Sequence, residues 1–180
     1  MISGLPKRWL LELITVFYAN AAPAELTPPE YIAEFLREMA LNGKTLTMPE
    51  FDLPHATVNT VLKATRDFID RNGQVLLDRA ENDYIVEGHG DPRPQHVSLS
   101  DTPVIIDCLE FNRSLRLIDP FDELVYRKLE CERLGASWIG DLLIKRCADA
   151  LGGRPIRQAP RFLHRFSRLS SCASGPREFT

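Results

Sequence analysis

Apolar residues recur at helical spacing through the first part of the chain, and the spacing predicts three helices punctuated by proline and glycine. Leu10, Leu13, Ile14 and Phe17 share one face of a segment opened by Pro6 and reaching about Asn20. Thr27 reads as an N-cap, with Pro28 at the first helical position and Glu30 three residues after the cap. That second helix carries Tyr31, Ile32, Phe35, Leu36 and Met39 and is expected to stop near Gly43. A third, from about Pro54 to Asn72, uses Val58, Val61, Leu62, Thr65, Phe68 and Ile69 and is expected to end at Gly73. These stripes read as core, because an amphipathic helix buries its apolar face.

The period changes between Asp83 and Asp107. Tyr84-Ile85-Val86, Val97-Ser98-Leu99 and Val104-Ile105-Ile106 are short β-branched runs bounded by turn residues. Ser100-Asp101-Thr102-Pro103 joins the last two as a hairpin turn. Helices resume at Asp119-Pro120, a cap followed by proline, with Leu124, Val125, Leu129 and Leu134 as the next stripe. A last helix spans about Ser137 to Leu151, ended by Gly152-Gly153. The fold class expected is mainly α with a small β-hairpin, α+β in kind.

Composition narrows the class without naming it. The 180 residues are 44% hydrophobic and 26% charged, which suits a globular protein with a sizeable core and excludes whole-chain disorder. With 22 Lys+Arg against 25 Asp+Glu, the net charge of −3 argues against general nucleic-acid binding. The apolar run from Trp9 to Tyr18 is too short to span a membrane and carries Glu12. Cys108, Cys131, Cys147 and Cys172 form no CxxC pair, so a reducing cytoplasm is the expected compartment. Six arginines and one acid lie from Gly153 onward, whereas the preceding residues hold 16 basic and 24 acidic groups. The chain is therefore expected to divide into a folded part, 1–152, and an Arg/Ser-rich tail, 153–180, read as a solvated, partly disordered end.

One segment concentrates groups that packing does not require: Gly88-His89-Gly90-Asp91-Pro92-Arg93-Pro94-Gln95-His96, followed by Val104 to Glu110. Pro92 and Pro94 each lack an amide proton and restrict the residue before them, so a helix carrying metal ligands on successive turns is excluded. A rigid loop presenting His89, Asp91 and His96 remains, and the hairpin brings Asp107 back beside it. Two acids so placed suit phosphoryl transfer: one handles the proton of the attacking hydroxyl, the other holds Mg²⁺ against phosphates. His96 is open to three roles, as a metal ligand, a loop hydrogen bond or a phosphate contact. Cys108 beside Asp107 reads as a buried, inert thiol rather than a nucleophile. His55 and His164 read as surface residues, and Asp119 as a helix cap.

His89-Gly90-Asp91-x-x-x-x-His96, followed by an apolar strand ending in Asp107, resembles the catalytic and metal-binding loops of aminoglycoside phosphotransferase-like kinases. Ile106-Asp107-Cys108-Leu109-Glu110-Phe111-Asn112 brings it closer to uncharacterised bacterial members with a DCxEFN signature, and the likeness runs over residues 5 to 150. The resemblance implies a kinase-like C-terminal lobe, Asp91 as catalytic base, Asp107 as Mg²⁺ ligand, and His96 where many relatives place an asparagine as second metal ligand. It implies a structural role for His89 and a contact of Glu110 with metal or substrate hydroxyl. For Arg93, a phosphate contact and a loop-stabilising carboxylate contact both stay open. Mg²⁺ and ATP are the implied cofactors, and a small-molecule hydroxyl the acceptor.

The chain departs from kinase-like enzymes in having no GxGxxG strand pair, no strand lysine and no GxxxxGK[ST]. The expectation is therefore a C-lobe without its N-lobe, with two functional readings. Either it belongs to an ATP-dependent phosphotransferase, incomplete in this chain, or it is a degenerate, non-catalytic lobe acting as a binding module. A face left uncovered by the N-lobe predicts a homodimer or a partner chain.

Overall fold

The computed structural model describes residues 5–100, 102–110 and 112–152, so the expected basic tail lies outside the described residues. Mainly helical with two short antiparallel strand pairs, the described chain is α+β. It divides into two compact units, one drawn from the chain up to Glu25 and from Asp83 onward, the other from Leu26 to Asn82.

The second unit is a helical hairpin of α2 (Pro28–Leu46) and α3 (His55–Glu81). Thr27 caps α2 in a full capping box: its hydroxyl accepts from the Glu30 amide at 3.4 Å, and the Glu30 carboxylate accepts from the Thr27 amide at 2.8 Å. Both helices outrun their expected ends. Gly43 and Gly73 keep ordinary helical backbone, and among the described residues the glycines at positive φ are Gly90, Gly135 and Gly152. Beyond Gly73 the buried series Phe68, Ile69, Leu76 and Ala80 continues at helical period, and that burial outweighs the glycine's modest helix penalty.

In the first unit, α1 (Leu5–Ala19), α4 (Pro120–Arg133) and α5 (Ser137–Leu151) enclose a core of Ile14, Tyr18, Phe121, Leu124, Leu143 and Cys147. Asp119 does cap α4, its carboxylate accepting from the Phe121 amide at 2.9 Å. The buried face of α4 is not the expected stripe. Leu134 is exposed, while Asp122, Glu123 and Arg127 are buried among Phe121, Leu124, Tyr126 and Cys131. A Cβ at Gly140 of α5 would lie 2.5 Å from the Lys128 backbone, so only glycine admits so close a crossing of α4.

Strand β1 (Val86–Glu87) pairs antiparallel with β4 (Leu117–Ile118), Val86 opposite Ile118. Strands β2 (Val97–Ser98) and β3 (Val104–Ile105) form the expected hairpin, Val97 opposite Ile105, and both residues pack on the helical core. Strands β1, β2 and β3 are each shorter than the three-residue run expected there, and β4 was not expected. Asp107 thus sits two residues past a strand end, at φ 61°, and not at the end of an apolar strand. Among the described residues no helix is long and apolar enough to cross a membrane.

Candidate functional site

The loop from Gly88 to His96 leaves β1, and its conformation is set from below by one buried carboxylate. Glu123 of α4 is fully buried, and its Oε2 accepts from the His89 amide at 2.9 Å and from the Tyr18 hydroxyl at 2.9 Å. Its Oε1 accepts from the Gly90 amide at 2.5 Å. A Cβ at Gly88 would come within 2.5 Å of Oε2, and one at Gly90 (φ 87°) within 2.9 Å of the Leu109 side chain. The glycines flanking His89 are thus what lets the loop close on the carboxylate. Burial, then the charge of Glu123, pushes the Tyr18 hydroxyl well above its ordinary range, so it stays a hydrogen-bond donor.

His89 bonds backbone with both ring nitrogens. Nδ1 accepts from the Asp91 amide at 3.2 Å, so Nε2 carries the proton and donates it to the Ile106 carbonyl at 2.8 Å. Burial lowers its pKa, in keeping with a neutral ring. A bond from the Leu109 amide to the His89 carbonyl at 3.2 Å completes the tie between the loop and residues 106–109.

Pro92-Arg93-Pro94 holds Arg93 in extended backbone, and Pro94 opens a single tight turn to His96, where no helix was expected. Arg93 Nε donates to Asp91 Oδ1 at 3.1 Å, and its side chain also bonds Tyr126. The loop-stabilising carboxylate contact left open for Arg93 is present. Across the loop, His96 Nδ1 donates to the Asp91 carbonyl at 2.7 Å, its ring stacks on His89 at 5.9 Å, and Nε2 lies 3.1 Å from Asp107 Oδ2. Asp91, His96 and Asp107 are therefore brought together, with His96 between the acids. Asp107 is largely exposed, Asp91 is not. Glu110 is exposed, within electrostatic reach of Arg116. Cys108 is half-buried with Arg116 Nη1 3.5 Å from its sulfur, not sealed in a strand as expected.

Among the described residues no three His, Cys, Asp or Glu side chains gather as a metal cluster. His96 and Asp107 place one imidazole and one carboxylate 3.1 Å apart, the first mostly buried and the second largely exposed. Sequence reasoning missed Glu123, Tyr18 and Tyr126. The available signal was charge inside an apolar helical face, Glu123 and Arg127 at i,i+4 between Phe121 and Cys131.

No family model matches the chain, and no solved structure matches it. An uncharacterised protein of Mycobacterium bovis is 30% identical over 79 residues, 43% of this chain and 16% of that protein. Uncharacterised proteins from two strains of Mycobacterium tuberculosis match to the same extent. The chain thus spans about a sixth of the length of the curated relatives it matches.

Proposed function

We propose that the chain carries the catalytic half of a phosphotransferase of kinase-like build, acting on a small-molecule hydroxyl with ATP as donor. The observation that carries the reading is the convergence of Asp91, His96 and Asp107 on a loop whose backbone is held by a buried carboxylate. In this reading Asp91, positioned through Oδ1 by Arg93, takes the proton of the acceptor hydroxyl as its oxygen bonds to the γ-phosphorus. The bond from phosphorus to the β–γ bridging oxygen breaks, and ADP leaves with the electron pair. Asp107 and His96 would hold a divalent cation, which when bound neutralises charge developing on the phosphates. His89 and Glu123 keep the loop in place without touching substrate.

A second reading has its own support. Kinase-like enzymes close ATP under a sheet, whereas the described chain before Val86 is α1, α2, α3 and a short 3-10 turn at Pro49–Phe51, apart from the bridge of Pro23 to Val86. On that reading the lobe binds nucleotide or a partner without turnover.

Calorimetric titration with Mg²⁺-ATP separates them. The phosphotransferase reading expects magnesium-dependent binding that Asp107→Ala abolishes, together with phosphate transfer in an acceptor screen that Asp91→Asn abolishes while binding persists. Binding without transfer to any acceptor supports the second reading, and no binding at millimolar nucleotide overturns the first.

A further inference from the structure

Helix α1 carries a second stripe beside the one that enters the core. Trp9, Glu12, Leu13 and Val16 follow helical spacing and share one face, distinct from the buried Ile14 and Tyr18. With Pro103, from the turn of the β2–β3 hairpin, they line an open cavity of about 320 Å³. That volume lies at the lower end of pockets that take small ligands, roughly 300–1,000 Å³. Trp9 and Val16 are 38% and 51% exposed, so the cavity presents apolar surface to solvent. Its one charged group is Glu12, which is exposed, and among the described residues no base pairs with its carboxylate.

We infer that this cavity binds a small organic cation with apolar substituents, an alkylated ammonium in class. An aromatic ring attracts a cation through its quadrupole, and tryptophan does so most strongly. The Glu12 carboxylate adds a full opposite charge on the same helix face. Leu13, Val16 and Pro103 remove the alkyl groups from water. A neutral apolar ligand would desolvate Glu12 without compensation, and an anion would be repelled by it. The site is independent of the phosphotransferase reading. Pro103 lies at the turn of the hairpin, whereas His96 and Asp107 flank its open end.

The probe is benzyltrimethylammonium, titrated into the full chain carrying Trp138→Phe, so that Trp9, the other of the two tryptophans, reports alone. The expected result is a saturating change in Trp9 emission, with benzyl alcohol binding more weakly and benzoate giving no change. Glu12→Gln, at an exposed position, should keep the melting midpoint and weaken the ammonium by roughly two- to five-fold, the scale of a solvent-exposed charge pair. The same variant should leave benzyl alcohol unaffected, and added salt should weaken the ammonium alone. Line broadening of the probe's methyl protons with the wild-type chain gives the affinity without a variant, and Trp9→Leu should abolish it. A signal that rises without saturating overturns the inference. Equal affinity for the ammonium and the alcohol overturns it too, as does unaltered ammonium binding in Glu12→Gln or Trp9→Leu.

Discussion

The α2–α3 hairpin and the unit that carries the loop solve the folding problem differently. The hairpin is held by local rules. A capping box starts α2, Tyr31 and Phe35 meet edge to face at 5.1 Å, and exposed pairs such as Lys63 with Asp67 run along the surface. Such solvated pairs contribute little, so apolar burial carries the stability. The loop-bearing unit places Glu123, Arg127, His89, Asp119 and Asp122 inside. A buried carboxylate is costly unless fully hydrogen-bonded, and Glu123 meets that condition with two loop amides and a tyrosine hydroxyl. Burial of apolar surface tolerates small shifts, whereas three hydrogen bonds to one carboxylate permit one loop conformation. The difference teaches that, among the described residues, buried charge lies in the unit where a backbone has to be held in place.

The largest effect expected from breaking that contrast is at Glu123. Glu123→Leu leaves the Tyr18 hydroxyl and the His89 and Gly90 amides without their acceptor, and should destabilise the loop-bearing unit by about 3–5 kcal/mol. Urea unfolding followed by amide exchange would show the loss confined to that unit. If protection in α2 and α3 fell equally, the two units would not be energetically separate.

A pair of glycine substitutions sharpens the comparison. Gly88→Ala forces a methyl against the Glu123 carboxylate and Ile118, 2.5 and 2.8 Å away, and should cost about 1–3 kcal/mol. Gly73→Ala, in α3 with nothing within 4 Å of the added carbon, should instead stabilise by about 0.5–1 kcal/mol. Thermal midpoints moving in opposite directions are the expected outcome. Thr27→Ala should fall between in size, costing about 1 kcal/mol as the capping box of α2 is lost.

The smallest effect is one of pH. Burial lowers the His89 pKa in the folded chain, so between the folded and unfolded values the unfolded chain binds more protons. Stability is then full above the ordinary histidine range, near pH 6.5, and falls as pH drops through the lowered folded value. His89→Gln should flatten that slope in thermal unfolding below pH 6.5; an unchanged slope would assign it to other groups.

Much of this is legible in the sequence alone. Thr27 and Asp119 announce caps because capping is a contact between neighbours in sequence. The turn from Ser100 to Pro103 announces a hairpin, and Pro92 with Pro94 excludes an α-helix through the loop, for equally local reasons. The same locality misled at Gly43 and Gly73, where a residue that often ends helices lies within a longer buried stripe. It misled again along α4, where Asp122, Glu123 and Arg127 look like a solvated face and are buried.

The sequence by itself determined that the chain is mainly helical, where its helices begin, and which short loop holds its histidines and acids. Those features rest on φ limits, caps and periodicity that act over a few residues. Only the tertiary structure decided that Glu123 would hold that loop, because its partners lie 33, 34 and 105 residues away. It also decided that Arg93 would hold Asp91, and that Nε2 of His96 would meet Asp107. Which of several possible partners a buried polar group meets depends on how the helices and hairpin pack, and no local pattern carries that information.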